Sequence, residues 1–402
     1  MKNRIGIVGG GQLGRMLAFE AKKMGFTVKV LDPTPKSPAG QVVDEQIVAD
    51  FKDEPAIRKL AAVSDFLTFE IELANSQILD ELAADGVEVN PSAKTLTIVK
   101  DKFKQKKFLA EAHIPLAKFK KVQTKEDIVK SAAVFGYPLL LKARFDSYDG
   151  RGNALIKSEK DIDKACEKLG FSHSGKLPKG AHPESDSGVV TSAPPQNDGQ
   201  FYIEQFVPFT KELAVMVARS TKGEIITYPV VETIHKNNIC HTVFAPARVN
   251  NAIQSKAQNL ARKVMRHLKG AGVFGIEMFL AKDGKVLVNE IAPRVHNSGH
   301  YTIEACTTSQ FEQHIRAITG MPLGKTDMIV PAAVMVNILG DRKSPAEVSG
   351  LDKALEIPNT FVHIYGKAET KVERKMGHIT AIDKTLDKAY KKAVSARKYI
   401  KI

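Results

Sequence analysis

The sequence predicts a three-part α/β protein, and three observations carry that expectation. The chain opens as strand, glycine-rich turn, helix and strand. A hairpin signal at Asp283-Gly284 stands between two apolar runs, each carrying a glutamate. A third set of strand-like segments follows residue 330 and leads into a lysine-rich closing helix.

Arg4-Ile-Gly-Ile-Val8 alternates and is β-prone. Gly9-Gly-Gly11-Gln12-Leu13-Gly14 comes next, and then Leu17, Ala18, Ala21 and Met24 at helical spacing. Residues 26–31 form a second strand ending at Asp32. Glycines at this spacing permit a tight turn and close approach of a ligand to the helix N-terminus. With Asp32 they suggest a dinucleotide site, although the motif alone is weak. Short strands are expected at 42–48, 65–69 and 87–90, with helices at 53–63 and 74–85. Glu70-Ile-Glu72 then falls at a strand's C-terminal end, where open α/β sheets bind ligands. A solvated loop pair is the equal alternative.

From Lys100 the composition turns basic. Lys100-Asp-Lys102-Phe-Lys-Gln-Lys106 starts a helix that His113-Ile-Pro115 ends, with a domain boundary near 95. Residues 137–142 are an apolar strand ending on Lys142. The loop Ser147-Tyr148-Asp149-Gly150-Arg151-Gly152-Asn153 precedes a strand at 154–157. Backbone N–H groups in such a glycine loop suit phosphates, and an ordinary long hairpin turn is the alternative. Residues 171–199 are polar, aperiodic and rich in Pro, Gly and Ser, as in an inserted flexible loop. Residues 201–207 run as a strand into a loop whose backbone can offer an adenine edge an acceptor and a donor. Lys211-Glu212 opens another strand, 225–231 a further one, and a helix at 251–269 leads to the hairpin.

A two-residue turn at Asp283-Gly284 sets Lys282 opposite Lys285 and so Glu277 opposite Glu290. Cross-strand neighbours have Cβ atoms about 4.5–5.5 Å apart, and like charges there are destabilising. The pair therefore calls for a cation, and Mg²⁺ carried by a nucleotide fits oxygen ligands. Two solvated glutamates are the alternative, which the apolar flanks disfavour. Beyond it, 303–318 should be helical, 332–339, 361–365 and 378–382 strands, and 384–399 a helix. No internal repeat is visible.

The 402 residues suffice for two or three domains, and 43% hydrophobic with 26% charged residues is ordinary globular composition. Cys166, Cys240 and Cys306 lie far apart, as in a reducing compartment without structural disulfides. No signal-peptide pattern opens the chain, and the longest apolar stretch, near 329–339, is too short for a membrane span and contains Pro331. A cytoplasmic protein away from membranes is expected. The net charge of +14 favours anionic partners. No aromatic-interleaved basic patch points to nucleic acid, so small anionic substrates fit better.

The segments Gly9–Met16, Tyr148-Asp-Gly-Arg-Gly152, Lys211-Glu-Leu-Ala-Val215, Tyr228–His235 and Asn289–His300 together resemble the 5-(carboxyamino)imidazole ribonucleotide synthases. These are ATP-grasp carboxylating enzymes of purine biosynthesis, and the resemblance runs from residue 4 to about 382, closest to the synthase half of the fused fungal enzymes. It implies an ATP-grasp fold with a Rossmann-like pre-ATP-grasp domain at 1–95. The ATP-grasp domain would span 96–325, with a lid at 120–207, and a small C-terminal domain 326–402. It implies ATP with one or two Mg²⁺ ions, aminoimidazole ribonucleotide and bicarbonate as substrates, a homodimer, and a separate mutase downstream.

By position, the resemblance gives ATP to Lys102, Lys142, Ser147, Tyr148, Asp149, Gly150, Arg151, Gly152, Asn153, Glu204, Gln205, Phe206, Val207, Glu212, His235, Asn289 and Glu290. It gives Mg²⁺ to Glu277 and Glu290. Gln12, Leu13, Glu72, Tyr148, Asp149 and Arg151 would surround the nucleotide substrate, and Lys367 and Arg374 would hold its phosphate. Arg294, His296 and Asn297 would bind bicarbonate and carboxyphosphate and, with Asp149, form the catalytic set. Two features depart from the family pattern: Asp146-Ser147 replaces the two glycines usual before Tyr148, and the insertion at 171–199 is extra. The rivals are a formate-dependent glycinamide ribonucleotide transformylase, a nucleotide-binding regulator without turnover, and a nicotinamide oxidoreductase. His296 and His300 are spaced like a zinc pair but lack a nearby third ligand.

Overall fold

The computed structural model describes residues 2–145, 152–171 and 200–402. The strand Arg4–Val8 is central to a five-stranded parallel sheet. Thr27–Leu31 and then Glu45–Ile47 lie on one side of it, Phe66–Phe69 and then Glu88–Val89 on the other. The order reverses between Arg4–Val8 and Phe66–Phe69, and a doubly wound sheet opens its ligand crevice at such a switch. Gly9–Gly14 and Glu70–Glu72 leave those two strands at their C-terminal ends. The strand expected at 42–48 is only Glu45–Ile47, because the N–H groups of Val42 and Val43 turn back to the Ala39 carbonyl.

A second, four-stranded antiparallel sheet orders Phe119–Val122, Phe201–Gln205, Leu139–Ala143 and Asn153–Ile156. Three helices lie where the sequence analysis expected none: Ala93–Lys100, Lys125–Phe135 and Ile162–Leu169. Their caps were legible. Ser92 accepts from the Thr95 N–H, and Thr124 and Asp127 form a reciprocal capping box.

The largest sheet is nine-stranded and carries the hairpin Gly272–Ala281 and Val286–Ala292 at one edge. Next to it runs Phe209–Arg219, then Val231–Lys236 and Ile239–Ala245. The strand expected at 225–231 is interrupted: Ile225–Thr227 pairs with Phe209–Arg219, and Pro229, lacking an N–H, precedes a fresh start at Val231. Ala332–Leu339 pairs with Ile239–Ala245, so the C-terminal strands, with Lys375–Asp383 and Thr360–Ile364 outermost, prolong the same sheet. The helix expected at 303–318 is two helices, Thr302–Ala305 and Gln310–Ile318. Cys306 is extended and bridges Met328, and Ser309 starts the second helix by accepting the Glu312 N–H at 3.1 Å.

One core cluster joins the first sheet to the largest, with Leu13, Met16 and Leu17 packed among Phe311, Ile315 and Met216. His314 rivets the two. The Val273 N–H donates to its Nδ1 at 3.1 Å, which leaves Nε2–H to donate to Thr68 Oγ1 at 3.0 Å. Among the described residues no helix is long and apolar enough to cross a membrane.

Candidate active site

The hairpin brings Glu277 and Glu290 face to face, as the sequence predicts, but not by the predicted turn. Lys282 does not face Lys285. Ala281 does, its N–H donating to the Lys285 carbonyl at 2.8 Å, so the loop has three residues and Gly284 takes φ +78°. The Gly284 N–H closes the turn on the Ala281 carbonyl at 3.0 Å, and its left-handed conformation costs a glycine nothing. A compensating bulge follows: Met278 pairs with Val288 and Glu277 with Glu290, leaving Asn289 as the extra residue. Bulges re-aim side chains at such points.

The two carboxylates keep different protons. Burial, then the Glu290 charge, pushes Glu277 up to about 7. Burial acts on Glu290 too, but Lys102, Lys142 and Lys106 outweigh it and hold that carboxyl below its usual range. Lys102 is salt-bridged to Glu290. Both side chains stay partly accessible, so the protein wall around them causes these shifts, not complete removal of water. The donor set is oxygen only, and among the described residues no cluster of three His, Cys, Asp or Glu could hold a metal. Two carboxylates with open positions fit a cation such as Mg²⁺ that brings further oxygens on a substrate. They do not fit zinc, and His296 with His300 forms no zinc site among the described residues.

Beside the pair lies a buried ion triad. Glu204 accepts from Lys106 at 2.6 Å and from Lys142 at 2.9 Å. Burial would raise the Glu204 pKa, but the two lysines overcome it and bring it down to about 2. Lys142 stays charged because Glu204 outweighs burial. In the sequence Lys106 shows only as part of a basic helix, yet it is 2% exposed and completes this site. Its position four residues after Lys102, one helical turn, was the available signal. Gln205 is anchored through its side chain to the Phe135 carbonyl, and the Phe206 N–H to the Pro138 carbonyl. The Val207 carbonyl accepts from the Phe209 N–H. Glu212 and His235 meet at 2.7 Å from adjacent strands. Burial would lower the His235 pKa, but Glu212 raises it overall. Gly152 and Asn153 enter the strand that pairs with Leu139–Ala143. Ser147, Tyr148, Asp149, Gly150 and Arg151, the departure at Asp146-Ser147, and nearly all of the insertion lie outside the described residues.

Past the hairpin, Arg294 reaches into the first domain. One of its guanidinium nitrogens lies 3.0 Å and 3.2 Å from the two Glu72 oxygens, while its Nε is buried with no hydrogen-bond partner among the described residues. His296 follows. Burial and then Arg294 drive its pKa well below the usual value, so it is neutral, and its Nε2 stands 3.7 Å from Glu277. Gln310, fully buried and unforeseen, locks this loop. Its Oε1 accepts the His296 N–H at 2.9 Å, and its Nε2 donates to the His296 carbonyl at 2.8 Å and to His300 Nδ1 at 3.0 Å. Gly299 must be glycine, since a Cβ would lie 2.4 Å from the Gln310 oxygen. Asn297 faces Asn337 in a reciprocal amide pair at 3.0 Å and 2.7 Å, so both ends of its amide are committed to the protein.

Lys367 is buried against the first domain: Gln41 donates to the Gly366 carbonyl at 2.6 Å, and Arg15 donates to Gln41 at 3.0 Å. Arg374 donates to the Glu369 carbonyl at 2.8 Å on the same loop. The glycine turn after the first strand does not present an open dinucleotide cradle. Glu70 lies in it, accepting from the Gly11 and Gly14 N–H groups at 2.5 Å and 3.1 Å. Asp32 is buried and accepts from Gly10 and Thr34, both at 2.8 Å, so it does not stand free for a ribose. The nicotinamide alternative fails on these contacts.

Comparison with known proteins agrees with this geometry. Residues 1–100 match the ribonucleotide synthetase preATP-grasp domain, 107–311 the ATP-grasp domain, and 333–392 the phosphoribosylaminoimidazole carboxylase C-terminal domain. The chain is 42% identical to the N5-carboxyaminoimidazole ribonucleotide synthase of Bacillus subtilis, over 94% of this chain and 90% of that one. It is 43% identical to the phosphoribosylaminoimidazole carboxylase of Ogataea methanolica over 95% of its length, but spans only 67% of that relative, and 65% of the one from Candida albicans. The N5-carboxyaminoimidazole ribonucleotide synthetase structure from Thermotoga maritima superposes with a TM-score of 0.84 at 47% identity, covering 100% of this chain and 99% of that one. The Aspergillus clavatus synthase in complex with ADP and 5-aminoimidazole ribonucleotide gives 0.84 at 36%, covering 99% and 98%. A pre-ATP-grasp sheet, an ATP-grasp centre with its facing glutamates and the matching C-terminal strands occur here in one chain, which therefore belongs to the N5-carboxyaminoimidazole ribonucleotide synthase family.

Proposed function

We propose that the protein uses ATP and bicarbonate to carboxylate the amino group of 5-aminoimidazole ribonucleotide, yielding the N5-carboxyamino nucleotide, ADP and phosphate. The observation that carries this is the Glu72–Arg294 contact. It joins the switch-point crevice of the first domain to the end of the hairpin that bears Glu277 and Glu290, so a nucleotide amine and a phosphoryl acceptor can meet at one arginine.

A bicarbonate oxygen attacks the γ-phosphorus, the bond to the bridging oxygen of ADP breaks, and carboxyphosphate forms. The amine then attacks the carbonyl carbon, phosphate leaves, and the amine gives up a proton. Glu277 and Glu290 would hold Mg²⁺, which neutralises phosphate charge when bound. Lys142 and Lys102 add fixed positive charge on the same side. Arg294, oriented by Glu72 and with Nε facing no acceptor among the described residues, binds the bicarbonate and then the carboxyphosphate oxygens. His296, kept neutral by burial and Arg294, would donate a hydrogen bond from Nε2 to bicarbonate or carboxyphosphate, because its Nδ1 accepts from the Ser298 N–H. The loop from Ser147 to Asn153 covers the phosphates, Glu204–Val207 with Glu212 and His235 holds the rest of ATP, and Asn289 shares that work from its bulge. Gln12, Leu13, Glu72, Tyr148, Asp149 and Arg151 surround the nucleotide substrate. Lys367 and Arg374 take its 5′-phosphate, and Asn297 contributes through the loop that it pins. A separate mutase downstream, a homodimer and a cytoplasmic setting complete the proposal on family resemblance alone.

The test is phosphate release from ATP with and without each co-substrate. Release should need both bicarbonate and aminoimidazole ribonucleotide for full rate. Stimulation by formate and glycinamide ribonucleotide instead would assign the chain to another ATP-grasp ligase.

A further inference from the structure

The glycine-rich turn, which the sequence offered as a dinucleotide site, has a ligand already, and it belongs to the chain. The helix Gln12–Lys23 begins at Gly11, which has no side chain to cap it. The orphan N–H groups of a first turn must be satisfied from elsewhere. Glu70, at the end of the neighbouring strand, does this with one carboxylate: Oε1 takes the Gly11 N–H and Oε2 the Gly14 N–H. Those are the two positions that a reciprocal capping box would serve from within a helix.

The glycines follow from this close approach. A Cβ on Gly11 would lie 2.7 Å from Glu70 Oε1, and one on Gly9, whose φ is +105°, 2.7 Å from Glu70 Cγ. Glu70 is nine-tenths buried, and its carboxyl group sits where an open fold of this kind would receive a pyrophosphate. Its two hydrogen bonds bracket Gln12 and Leu13. Two residues further on, Glu72 holds Arg294. One carboxylate thus sets the distance between two parts of the expected nucleotide site that come from different strands.

We infer that Glu70 is a positioning residue for the nucleotide substrate: it replaces an external phosphate at the helix N-terminus and locks Gln12 and Leu13 to the Glu72–Arg294 pair. This deepens the proposed function and rests on it. Glu70 touches no substrate in this assignment and acts through its neighbours. An amide in its place presents an NH₂ to one of the two N–H donors, so the turn loses its register without losing its packing. A smaller residue leaves an anion-sized gap lined by two N–H groups.

The experiment uses the full chain with Glu70→Gln and Glu70→Ala. In both, the KM for aminoimidazole ribonucleotide should rise by about tenfold or more, while that for ATP stays within about twofold. Formate, a free carboxylate, should restore the nucleotide KM of Glu70→Ala toward wild type, and should raise its melting temperature. It should do neither for Glu70→Gln, where the space is filled. Unchanged nucleotide constants, equal losses for both substrates, or no response of a folded Glu70→Ala to formate would overturn the inference. If Glu70→Ala does not fold, the KM split in the near-isosteric Glu70→Gln decides alone. Wild-type protein is assayed first. No nucleotide-dependent turnover there would defeat the functional proposal instead, and the formate effect on melting would still test the cradle.

Discussion

Glu277 stands directly opposite Glu290 although the chain between them holds two irregularities, a three-residue turn and a bulge at Asn289, whose register shifts cancel. The consequence is a carboxylate pair that keeps a proton near neutrality on Glu277, raised to about 7 by burial and by Glu290. A divalent ion needs that proton gone. The Glu277 pKa is elevated when no ion is bound, so ion and proton compete below about pH 7 and no longer above it. Affinity for Mg²⁺-nucleotide should therefore weaken about tenfold per pH unit below that value and level off above it. Titration calorimetry in buffers of different ionisation enthalpy should show a proton released on binding at pH near neutral. Glu277→Gln and Glu290→Gln should fold and nearly abolish turnover; near-normal activity at saturating Mg²⁺ in either would remove the pair from the mechanism.

Lys106 and Lys142 share Glu204 in a site of almost no solvent access. Removing one partner of a buried ion pair leaves charge uncompensated, at a cost of about 3–5 kcal/mol. Lys106→Met leaves Glu204 paired with Lys142, so it should lose less, about 1.5–3 kcal/mol for one charged hydrogen bond, in urea unfolding. Lys142→Met should lose ATP binding as well, if that lysine holds the phosphates as proposed. Equal effects on ATP affinity would show that Lys106 contacts the nucleotide itself.

Arg374 and Lys367 lie on one loop, with the Gly366 carbonyl tied to Gln41 of the first domain. If they hold the 5′-phosphate, Arg374→Ala should weaken use of aminoimidazole ribonucleotide by about 1.5–3 kcal/mol, the worth of a charged hydrogen bond. The KM for ATP should hardly move. Steady-state kinetics with each substrate varied in turn decides it, and an equal loss for ATP would place the phosphate elsewhere.

His314 connects Thr68 to Val273 as a neutral imidazole, its pKa pushed down to about 3 by burial. The ordinary value of 6.5 applies once unfolded. Between those values the unfolded chain binds the extra proton, so stability falls as pH falls below 6.5 and the loss is complete near 3. At pH 5 this single group should cost about 2 kcal/mol. Burial lowers His300 and His378 as well, so they act in the same direction. Urea unfolding at pH 7 and pH 5 should show the loss, and His314→Gln should reduce the difference between the two.

What the sequence determined by itself was local and periodic. The βαβ opening, the apolar strand ending at Lys142, the helix Asn251–Leu268 and the facing glutamates depend on alternation, helical spacing and turn residues a few positions apart. Such signals also misjudge what a single atom decides: the three-residue turn closed by Gly284 and the break at Cys306 each follow from a bond or a left-handed residue that periodicity does not show. Only the tertiary structure decided which polar groups meet. Glu70 reaches Gly11 across 59 positions, Lys106 reaches Glu204 across 98, and Arg294 reaches Glu72 across 222. Nothing in a neighbouring sequence window distinguishes those side chains from solvated ones. Each becomes a partner because packing removes water from it, and a buried charge without a counter-charge is too costly to keep. The same physical cause turned a glycine motif written like a dinucleotide site into a socket for the chain's own carboxylate.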